Sequence, residues 1–354
     1  MDFGISFGNT ADHWKVAKRA EELGFSHAWF SDTQLVNADP FVAMAAAAVQ
    51  TSKIHLGSAV LIPSNRIAPV TANGFASLNK LAPGRIHLGV STGFTARRTM
   101  GLPAIKLAEM EEHIRIVRAL LAGETTEWDH EGKRRKIRFL NPDLGQINID
   151  DPILLHISAM GPKGRLLTAR LGAHWMDSVP NLQRGIDDVT DMRNAWRAAG
   201  HDPDAFMTTA ITGGCVLDDG EAFDSPRAKA EAGPAAAIVL HNLVEAELYG
   251  SIRLDPPPFM APLIEAYRKL YLSYTPEDAR YLSVHRGHLL FLRPDEQHLI
   301  TAELIRAMTI TGTKQELREK IRELARAGYK QFSCHIRYGH EASLDRWAEV
   351  IAGV

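Results

Sequence analysis

Short apolar, β-branched runs alternate with amphipathic helical patterns along the whole chain, and this alternation constrains the fold more than any other feature. The predicted strands are Phe3–Phe7, His27–Ser31, Ile54–Leu61, Ile86–Val90, Ile153–Ile157, His174–Ser178, Phe206–Leu217 and Gln331–Ile336. Such alternation is typical of βαβ units and a parallel sheet. No glycine-rich dinucleotide turn follows the first strand, so eight strand–helix units predict a closed TIM (β/α)8 barrel rather than a doubly wound sheet.

The segments between these strands predict the helices of the barrel. They are Asp12–Leu23, Pro40–Gln50, Pro69–Leu81, Leu107–Leu121, Pro162–Leu171, Arg184–Ala199 and Lys314–Ala327, with a closing helix at Glu341–Ile351. Prolines near several helix starts, and Gly24 and Gly328 after helix ends, are typical boundary signals. A barrel with insertions spans roughly 200 to over 400 residues, so we expect one domain over residues 1–354.

Two insertions interrupt this rhythm. Residues 128–151 predict a hairpin, and residues 218–311 predict a helical insertion after the seventh strand. The second contains helical patterns at Ala228–Tyr249, Met260–Tyr271 and Pro276–Leu290. An insertion after a barrel strand lies at the face where barrel enzymes have their active sites, so we expect the second one to form a lid.

Composition excludes several classes of partner. A net charge of −2 argues against general affinity for nucleic acid or anionic membranes. The longest apolar run, Phe41–Val49, is too short to span a membrane, and no signal-peptide pattern opens the sequence. Cys215 and Cys334 form no CxxC motif, so the sequence predicts neither a disulfide framework nor a thiolate metal site. We expect a cytoplasmic protein that acts on a small molecule.

The strand ends carry mostly small or neutral polar side chains, and in a barrel they converge on one mouth. Ser6, Asp32, Gln34 and the run Ser91-Thr92-Gly93 belong to this set. The run Ser158-Ala159-Met160-Gly161-Pro162-Lys163 follows the fifth strand and opens a helix, whose free N–H groups and dipole favour phosphate. An ordinary capped helix start is the alternative. This lining suits a large organic cofactor better than a hydrolytic site.

Six motifs in order resemble the luciferase-like family of flavin and deazaflavin oxidoreductases, near its methylenetetrahydromethanopterin reductase-like branch. They are Trp29-Phe30-Ser31-Asp32, Leu56-Gly57-Ser58-Ala59-Val60, Asn73-Gly74-Phe75-Ala76-Ser77-Leu78-Asn79, Gly84-Arg85-Ile86-His87-Leu88-Gly89-Val90, Ser158-Ala159-Met160-Gly161-Pro162-Lys163 and Thr311-Gly312-Thr313-Lys314-Gln315-Glu316. The resemblance implies a cofactor ring across the barrel mouth, its phosphate near Ser158–Lys163, a bulge with a cis Ala59–Val60 bond, and a homodimer or higher oligomer. The expected cofactor-binding residues are Ser6, Asp32, Ala59, Val60, Ser91, Thr92, Gly93, Ser158, Ala159, Met160, Gly161 and Lys163.

One departure from the family pattern bears on catalysis. Many relatives carry a histidine directly after the acid at the end of strand two, where this chain has Thr33. The acid that sugar-phosphate dehydrogenases would carry after the Thr-Gly of strand four is replaced by Phe94, which argues against that activity.

The candidate catalytic residues are therefore sought at the second strand and on the insertion. Asp32 and Gln34 are expected near the cofactor ring, and His285 or His288 near the substrate, since histidine suits proton transfer at neutral pH. Surface or capping roles for the two histidines, or a metal pair lacking a third ligand, remain alternatives. His156 and His335 alternate with apolar neighbours and are expected in the core.

The leading functional hypothesis is an FMN-dependent monooxygenase that receives reduced flavin from a separate reductase and oxidises a small apolar or heterocyclic substrate. The alternative is hydride transfer with the deazaflavin coenzyme F420. A metal-dependent barrel hydrolase would need an HxH pair on an early strand, whereas the first strand reads Phe3-Gly4-Ile5-Ser6-Phe7, so no metal is expected. A non-catalytic flavin-binding protein is the third class, suggested by the missing histidine.

Overall fold

A closed barrel of eight parallel strands forms the body of the protein in the computed structural model, which describes residues 1–249 and 256–354. In chain order the strands are β1 (Asp2–Phe7), β2 (His27–Phe30), β3 (His55–Ser58), β4 (Ile86–Val90), β5 (Thr126–His130), β6 (Lys133–Ile137), β7 (Leu154–Ser158), β8 (His174–Ser178), β9 (Thr208–Thr212), β10 (Val216–Leu217), β11 (Gly312–Thr313) and β12 (Gln331–His335). The barrel order is β1-β12-β9-β8-β7-β4-β3-β2. Each of the eight predicted strands has its counterpart here, so the predicted fold class is confirmed.

Helices follow the barrel strands, as predicted. They are α1 (Trp14–Glu22), α2 (Pro40–Gln50), α3 (Ala68–Leu81), α4 (Phe94–Arg98), α5 (Leu107–Leu121), α6 (Pro162–Arg170), α7 (Leu182–Ala198), α8 (Pro226–Tyr249), α9 (Ala261–Ser273), α10 (Tyr281–Val284), α11 (Ala302–Met308), α12 (Lys314–Ala327) and α13 (Ser343–Ile351). Among the described residues, none of these helices is long and apolar enough to cross a membrane.

The first insertion, predicted over residues 128–151, contains an antiparallel hairpin of β5 and β6 that begins earlier, at Thr126. In the part that the structure describes, the second insertion holds the helices α8 to α11. Its apolar side chains form a second hydrophobic cluster, which includes Leu240, Tyr267 and Leu304 and is separate from the core between barrel and outer helices. The insertion therefore has a core of its own.

The predicted strand Phe206–Leu217 is wrong as one element, because it divides between two sheets. β9 ends at Thr212, and β10 pairs in parallel with β11, away from the barrel. The division falls at two glycines: a Cβ at Gly214 would overlap the carbonyl oxygen of Ile310. Predicted strand three likewise ends early, at Ser58, with Leu61 making an isolated bridge to Val90.

Asp177, near the end of β8, lies outside the barrel wall rather than in its mouth. Its carboxylate accepts a hydrogen bond from the Tyr329 hydroxyl at 2.8 Å, and its charged neighbours Arg165 and Asp188 belong to α6 and α7. Burial, with repulsion from Asp188, raises the pKa of Asp177 from 3.8 to about 7 despite the Tyr329 hydrogen bond.

We expect Asp177→Asn to increase the free energy of unfolding at both pH values. The increase should be about 2 kcal/mol larger at pH 8 than at pH 5. The pKa of Asp177 is higher in the folded protein than in the unfolded chain. The wild-type carboxyl therefore destabilises the folded state increasingly as pH rises from about 4 to 7, and this destabilisation is complete above pH 7. Asparagine still accepts from Tyr329 and does not ionise. Urea denaturation at both pH values measures the difference, with exposed Asp150→Asn as control; parallel pH profiles for wild type and Asp177→Asn would contradict it.

Candidate active site

The carboxyl ends of the barrel strands bring the predicted cofactor-binding residues to one mouth. Ser6 lies at the end of β1, Asp32 after β2, Ala59 and Val60 after β3, Ser91–Gly93 after β4, and Ser158–Lys163 at the end of β7. Because parallel strands of a closed barrel end at the same face, residues distant in sequence become neighbours there.

Asp32 anchors the segment that follows β3. Its carboxylate accepts a hydrogen bond from the Ile62 N–H at 3.0 Å and lies 3.7 Å from an Arg66 guanidinium nitrogen. Burial raises the pKa of Asp32, and the Ile62 N–H and Arg66 oppose that rise. The Ala59–Val60 peptide bond in this segment is cis, as the family resemblance implied. These contacts make Asp32 a positioning residue for the wall of the mouth, and its expected contact with a cofactor ring stays a prediction.

Gln34 joins the loops that follow three neighbouring strands. Its side-chain amide donates to the Ala96 carbonyl, and its oxygen accepts from Asn65 Nδ2 at 2.7 Å. Both ends of the amide are thus engaged within the protein. A catalytic role for Gln34 stays a prediction, and its contacts favour a positioning role.

The strand ends of β4 and β7 are tied together. The Ser91 hydroxyl donates to the Ser158 carbonyl at 3.0 Å, and the Thr92 carbonyl accepts from the Ile105 N–H. Gly93 adopts φ +80°, and a Cβ there would lie 2.5 Å from Ile62 Cγ2, so glycine lets this turn pack against the segment after β3. The backbone from Ser91 to Gly93 thereby forms one wall of the mouth.

The start of α6 fits a phosphate group. No side chain caps this helix at Gly161, and a Cβ at Gly161 would meet no atom within 4 Å. The N–H groups of a first helical turn have no partners inside the helix, and the helix dipole favours an anion there. Lys163 is exposed beside them, and Ala159 is fixed beneath them because its carbonyl accepts from Trp175 Nε1 at 3.0 Å. The residues present therefore match what a phosphate-bearing cofactor requires.

The predicted lid helix Pro276–Leu290 is wrong in its second half. The helix α10 ends at Val284, and the chain then turns through residues 285–290. Gly287 and Leu289 have φ values of +73° and +58°, which an α-helix does not allow. His285 and His288 therefore do not share a helix face, although their rings lie 6.0 Å apart; His285 is buried and His288 is half-buried.

His285 contacts an acid of the lid. Its Nε2 lies 3.4 Å from an oxygen of Glu245 on α8, and Glu245 also pairs with Arg98 of α4. Burial alone would raise the pKa of Glu245, but His285 and Arg98 lower it below its usual value. The Arg98–Glu245 pair links the lid to the loop after β4.

His288, His335 and Arg337 form a group over the ends of β1 and β12 that sequence reasoning largely missed. His335 Nδ1 lies 3.2 Å from the Ser6 hydroxyl, and a Cβ at Gly8 would overlap Leu290 Cδ2, so the lid turn lies directly on β1. Burial lowers the pKa of both imidazoles well below the usual value, and Arg337 lowers them further.

Three nitrogens of this group are buried without a hydrogen-bond partner among residues 1–249 and 256–354. They are His288 Nδ1, His335 Nε2 and one terminal nitrogen of Arg337. Buried polar atoms in proteins are nearly always paired, so this group is prepared for a ligand. His335 was expected in the core; its place at the very end of β12 is the sequence signal for a mouth residue. His156, in contrast, is a fully buried barrel residue, as expected.

Fold and site together define a (β/α)8-barrel protein whose candidate site lies at the carboxyl ends of the strands under a helical lid. The model of the luciferase-like monooxygenase family matches residues 6–331, and the chain belongs to this family. It is an oxidoreductase of the luciferase-like class.

Two relatives and one solved structure are similar to this chain over most of its length. It is 28% identical over 340 residues to a 5,10-methylenetetrahydromethanopterin reductase of Archaeoglobus fulgidus, covering 94% of this chain and 92% of the relative. It is 26% identical over 311 residues to an F420-dependent glucose-6-phosphate dehydrogenase of Nakamurella multipartita, covering 80% and 88%. The solved coenzyme F420-dependent tetrahydromethanopterin reductase of Methanopyrus kandleri has the same fold, with a TM-score of 0.70, 20% identity and coverage of 99% and 98%.

Proposed function

We propose that this protein is an F420-dependent oxidoreductase that transfers a hydride between the deazaflavin and a small organic substrate. The main support is that a relative named as F420-dependent aligns over most of its own length and of this chain. The FMN-dependent monooxygenase favoured by the sequence analysis is the competing assignment, and the expected homodimer stays a prediction. Phe94 still argues against a sugar phosphate as the substrate.

The mouth offers each function that a hydride-transfer site needs. F420, when bound, supplies a ring carbon that accepts or donates a hydride. The start of α6 would hold the phosphate of the cofactor, and the walls built on Asp32 and Ser91 would confine its ring. The lid turn at Leu290 covers the mouth and excludes water from it.

His288 is the proposed proton acceptor for substrate oxidation. Its low pKa keeps the imidazole neutral at pH 7, so Nδ1, which has no partner among the described residues, accepts a proton from a substrate hydroxyl. In the reverse direction the protonated imidazole returns that proton. The acid–base group that relatives place after strand two is thus supplied here from the lid.

Cofactor titration tests the proposal directly. Purified protein is titrated with F420 and with FMN, and binding is followed by fluorescence quenching under identical salt. We expect F420 to bind at least about 100-fold more tightly, a difference of about 2.7 kcal/mol. Bleaching of F420 absorbance by a panel of secondary alcohols, without oxygen uptake, completes the test. Preference for FMN together with oxygen consumption would overturn the proposal in favour of the monooxygenase.

We expect Lys163→Ala to weaken F420 binding about fivefold, which corresponds to about 1 kcal/mol for an exposed charge beside a phosphate. The loss should shrink as salt is raised, because ions screen exposed charges. The dissociation constant at low and high salt measures both effects. Lys53→Ala, an exposed lysine before β3 at the opposite end of the barrel, is the matched control; equal effects of the two variants would contradict a phosphate at the start of α6.

A further inference from the structure

Five histidines line the inside of the barrel at the end opposite the mouth. His27, His55, His87, His156 and His174 come from neighbouring strands β2, β3, β4, β7 and β8. Successive rings lie 4.9, 5.0, 5.1 and 4.9 Å apart. His27 precedes Asp32 by five residues, or about 16 Å of extended chain, so this layer is distinct from the candidate active site.

Three of these rings converge. His27, His55 and His87 each offer one ring nitrogen within 4.8 Å of the other two. His27 and His55 are direct cross-strand partners with stacked rings, and the ring of His87 stands edge-on to both, at 81° and 88°. His87 Nε2 lies 3.1 Å from His55 Nδ1. Two nitrogens on one tetrahedral zinc ion lie about 3.3 Å apart, so small ring movements would place both on one ion.

The hydrogen bonds around His27 determine which of its nitrogens is free. The Ser26 hydroxyl donates its only proton to the Phe3 carbonyl at 2.9 Å. His27 Nδ1, 2.8 Å from the same hydroxyl oxygen, must therefore be the donor of that contact, which leaves the lone pair on Nε2. A histidine whose other N–H is held by a polar partner is the usual arrangement of a metal ligand.

His87 is held in a comparable way. Its Nδ1 lies 2.8 Å from His156 Nε2, which leaves Nε2 directed at His55. Gly57 makes this possible, because a Cβ there would lie 3.0 Å from His87 Cβ and would overlap the Trp29 ring. The absence of that side chain lets His87 approach β3 from the inside.

The three histidines differ in burial, since His27 and His87 are buried and His55 is half-buried. The Arg85 guanidinium is engaged by the Ile54 and Thr51 carbonyls. His55 is only partly buried, which gives an ion a route from the amino end of the barrel.

We propose that His27, His55 and His87 bind one transition metal ion, with Zn²⁺ as the representative, and that water completes its coordination. The set contains imidazole nitrogens alone, which suit Zn²⁺, Co²⁺, Ni²⁺ and Cu²⁺ and do not suit Mg²⁺ or Ca²⁺. The ion would join β2, β3 and β4 at the end of the barrel away from the mouth. Its role is therefore to fix these strands, independently of hydride transfer.

The test uses the full chain without an affinity tag and with Zn²⁺ and Co²⁺ as probes. Dialysis against Zn²⁺ followed by metal analysis should give one ion per chain, and Co²⁺ should develop the visible absorption of a tetrahedral site. Crystals soaked in Zn²⁺ should give an anomalous peak between the three rings, a measurement that needs no variant. No stoichiometric ion in the wild type, or a peak at another place, would overturn the proposal.

Variants then assign the ligands. We expect His55→Gln and His27→Gln each to weaken Zn²⁺ binding at least about tenfold and to abolish the stabilisation of the fold by Zn²⁺. His174→Gln changes the same layer outside the three ligands and should retain the ion. Circular dichroism confirms that each variant is folded. Unchanged binding in folded His27→Gln and His55→Gln would refute the assignment.

Discussion

Replacing His288 by glutamine should lower turnover with F420 by at least about 100-fold, because a positioned acid or base contributes about 10² to 10⁴ to rate. Glutamine fills similar space in the lid turn and does not accept a proton at neutral pH. Cofactor binding should change less than twofold, since the phosphate site at α6 lies elsewhere. Steady-state kinetics measures the loss of turnover, and the F420 titration measures the cofactor affinity separately.

The pH profile gives a second readout for His288. Because burial lowers its pKa well below the usual value, wild-type oxidation should lose activity only as pH falls through that low value. This acid limb should disappear in His288→Gln. His285→Gln is the matched control, since His285 faces Glu245. Full activity in His288→Gln, with loss in His335→Gln, would transfer the proton-accepting role to His335.

Arg337→Met should lower the free energy of unfolding by about 3 kcal/mol. The guanidinium is fully buried and donates to the carbonyls of Glu231 on α8 and Leu289 in the lid turn, at 2.9 and 2.8 Å. Methionine fills the space and leaves both carbonyls unpaired, and each buried unpaired group costs about 1 to 3 kcal/mol. Urea denaturation measures the loss.

The same change should loosen the lid before the barrel. Limited proteolysis should cut Arg337→Met first within residues 218–311, while wild type resists under the same conditions. Arg337→Lys, which retains a charge and one donor group, should lie between the two. Cleavage outside the insertion, or an Arg337→Met protein as stable as wild type, would show that Arg337 does not hold the lid.

The barrel was predictable from sequence because its signals are local. Strand runs such as Ile86–Val90 and helix starts such as Pro162 carry their information within a few residues, and the structure places both as predicted. Family likeness placed the cis bond at Ala59–Val60. The largest errors in extent, at Phe206–Leu217 and Pro276–Leu290, fall where tertiary contacts at Gly214 and a left-handed turn at Leu289 override an apolar pattern.

The groups at both ends of the barrel were not predictable in the same way. His288 meets His335 and Arg337 only because the lid folds back over the mouth, and His27 meets His87 only because the curved barrel wall turns the side chains of β2 and β4 toward each other across β3. Each of these histidines, taken alone on its strand or turn, is indistinguishable from an ordinary buried residue. Spacing along a strand determines which way a side chain points, but not which strand lies opposite it.

The small sheet of β10 and β11 bears on how such an enzyme acquires new substrates. The lid begins after β10, which ends at Leu217, and ends before β11, which begins at Gly312. The pairing of these two strands therefore holds the two ends of the lid side by side. The lid has a hydrophobic cluster of its own, so it packs as a separate unit that is joined to the barrel at this small sheet. Lids of other lengths and linings are expected to join the barrel at the same two points, provided that they replace the contacts that Arg98 and Arg337 make with this lid. Natural selection or laboratory evolution can therefore change the lid surface that contacts the substrate without changing the residues at the mouth that would hold the cofactor.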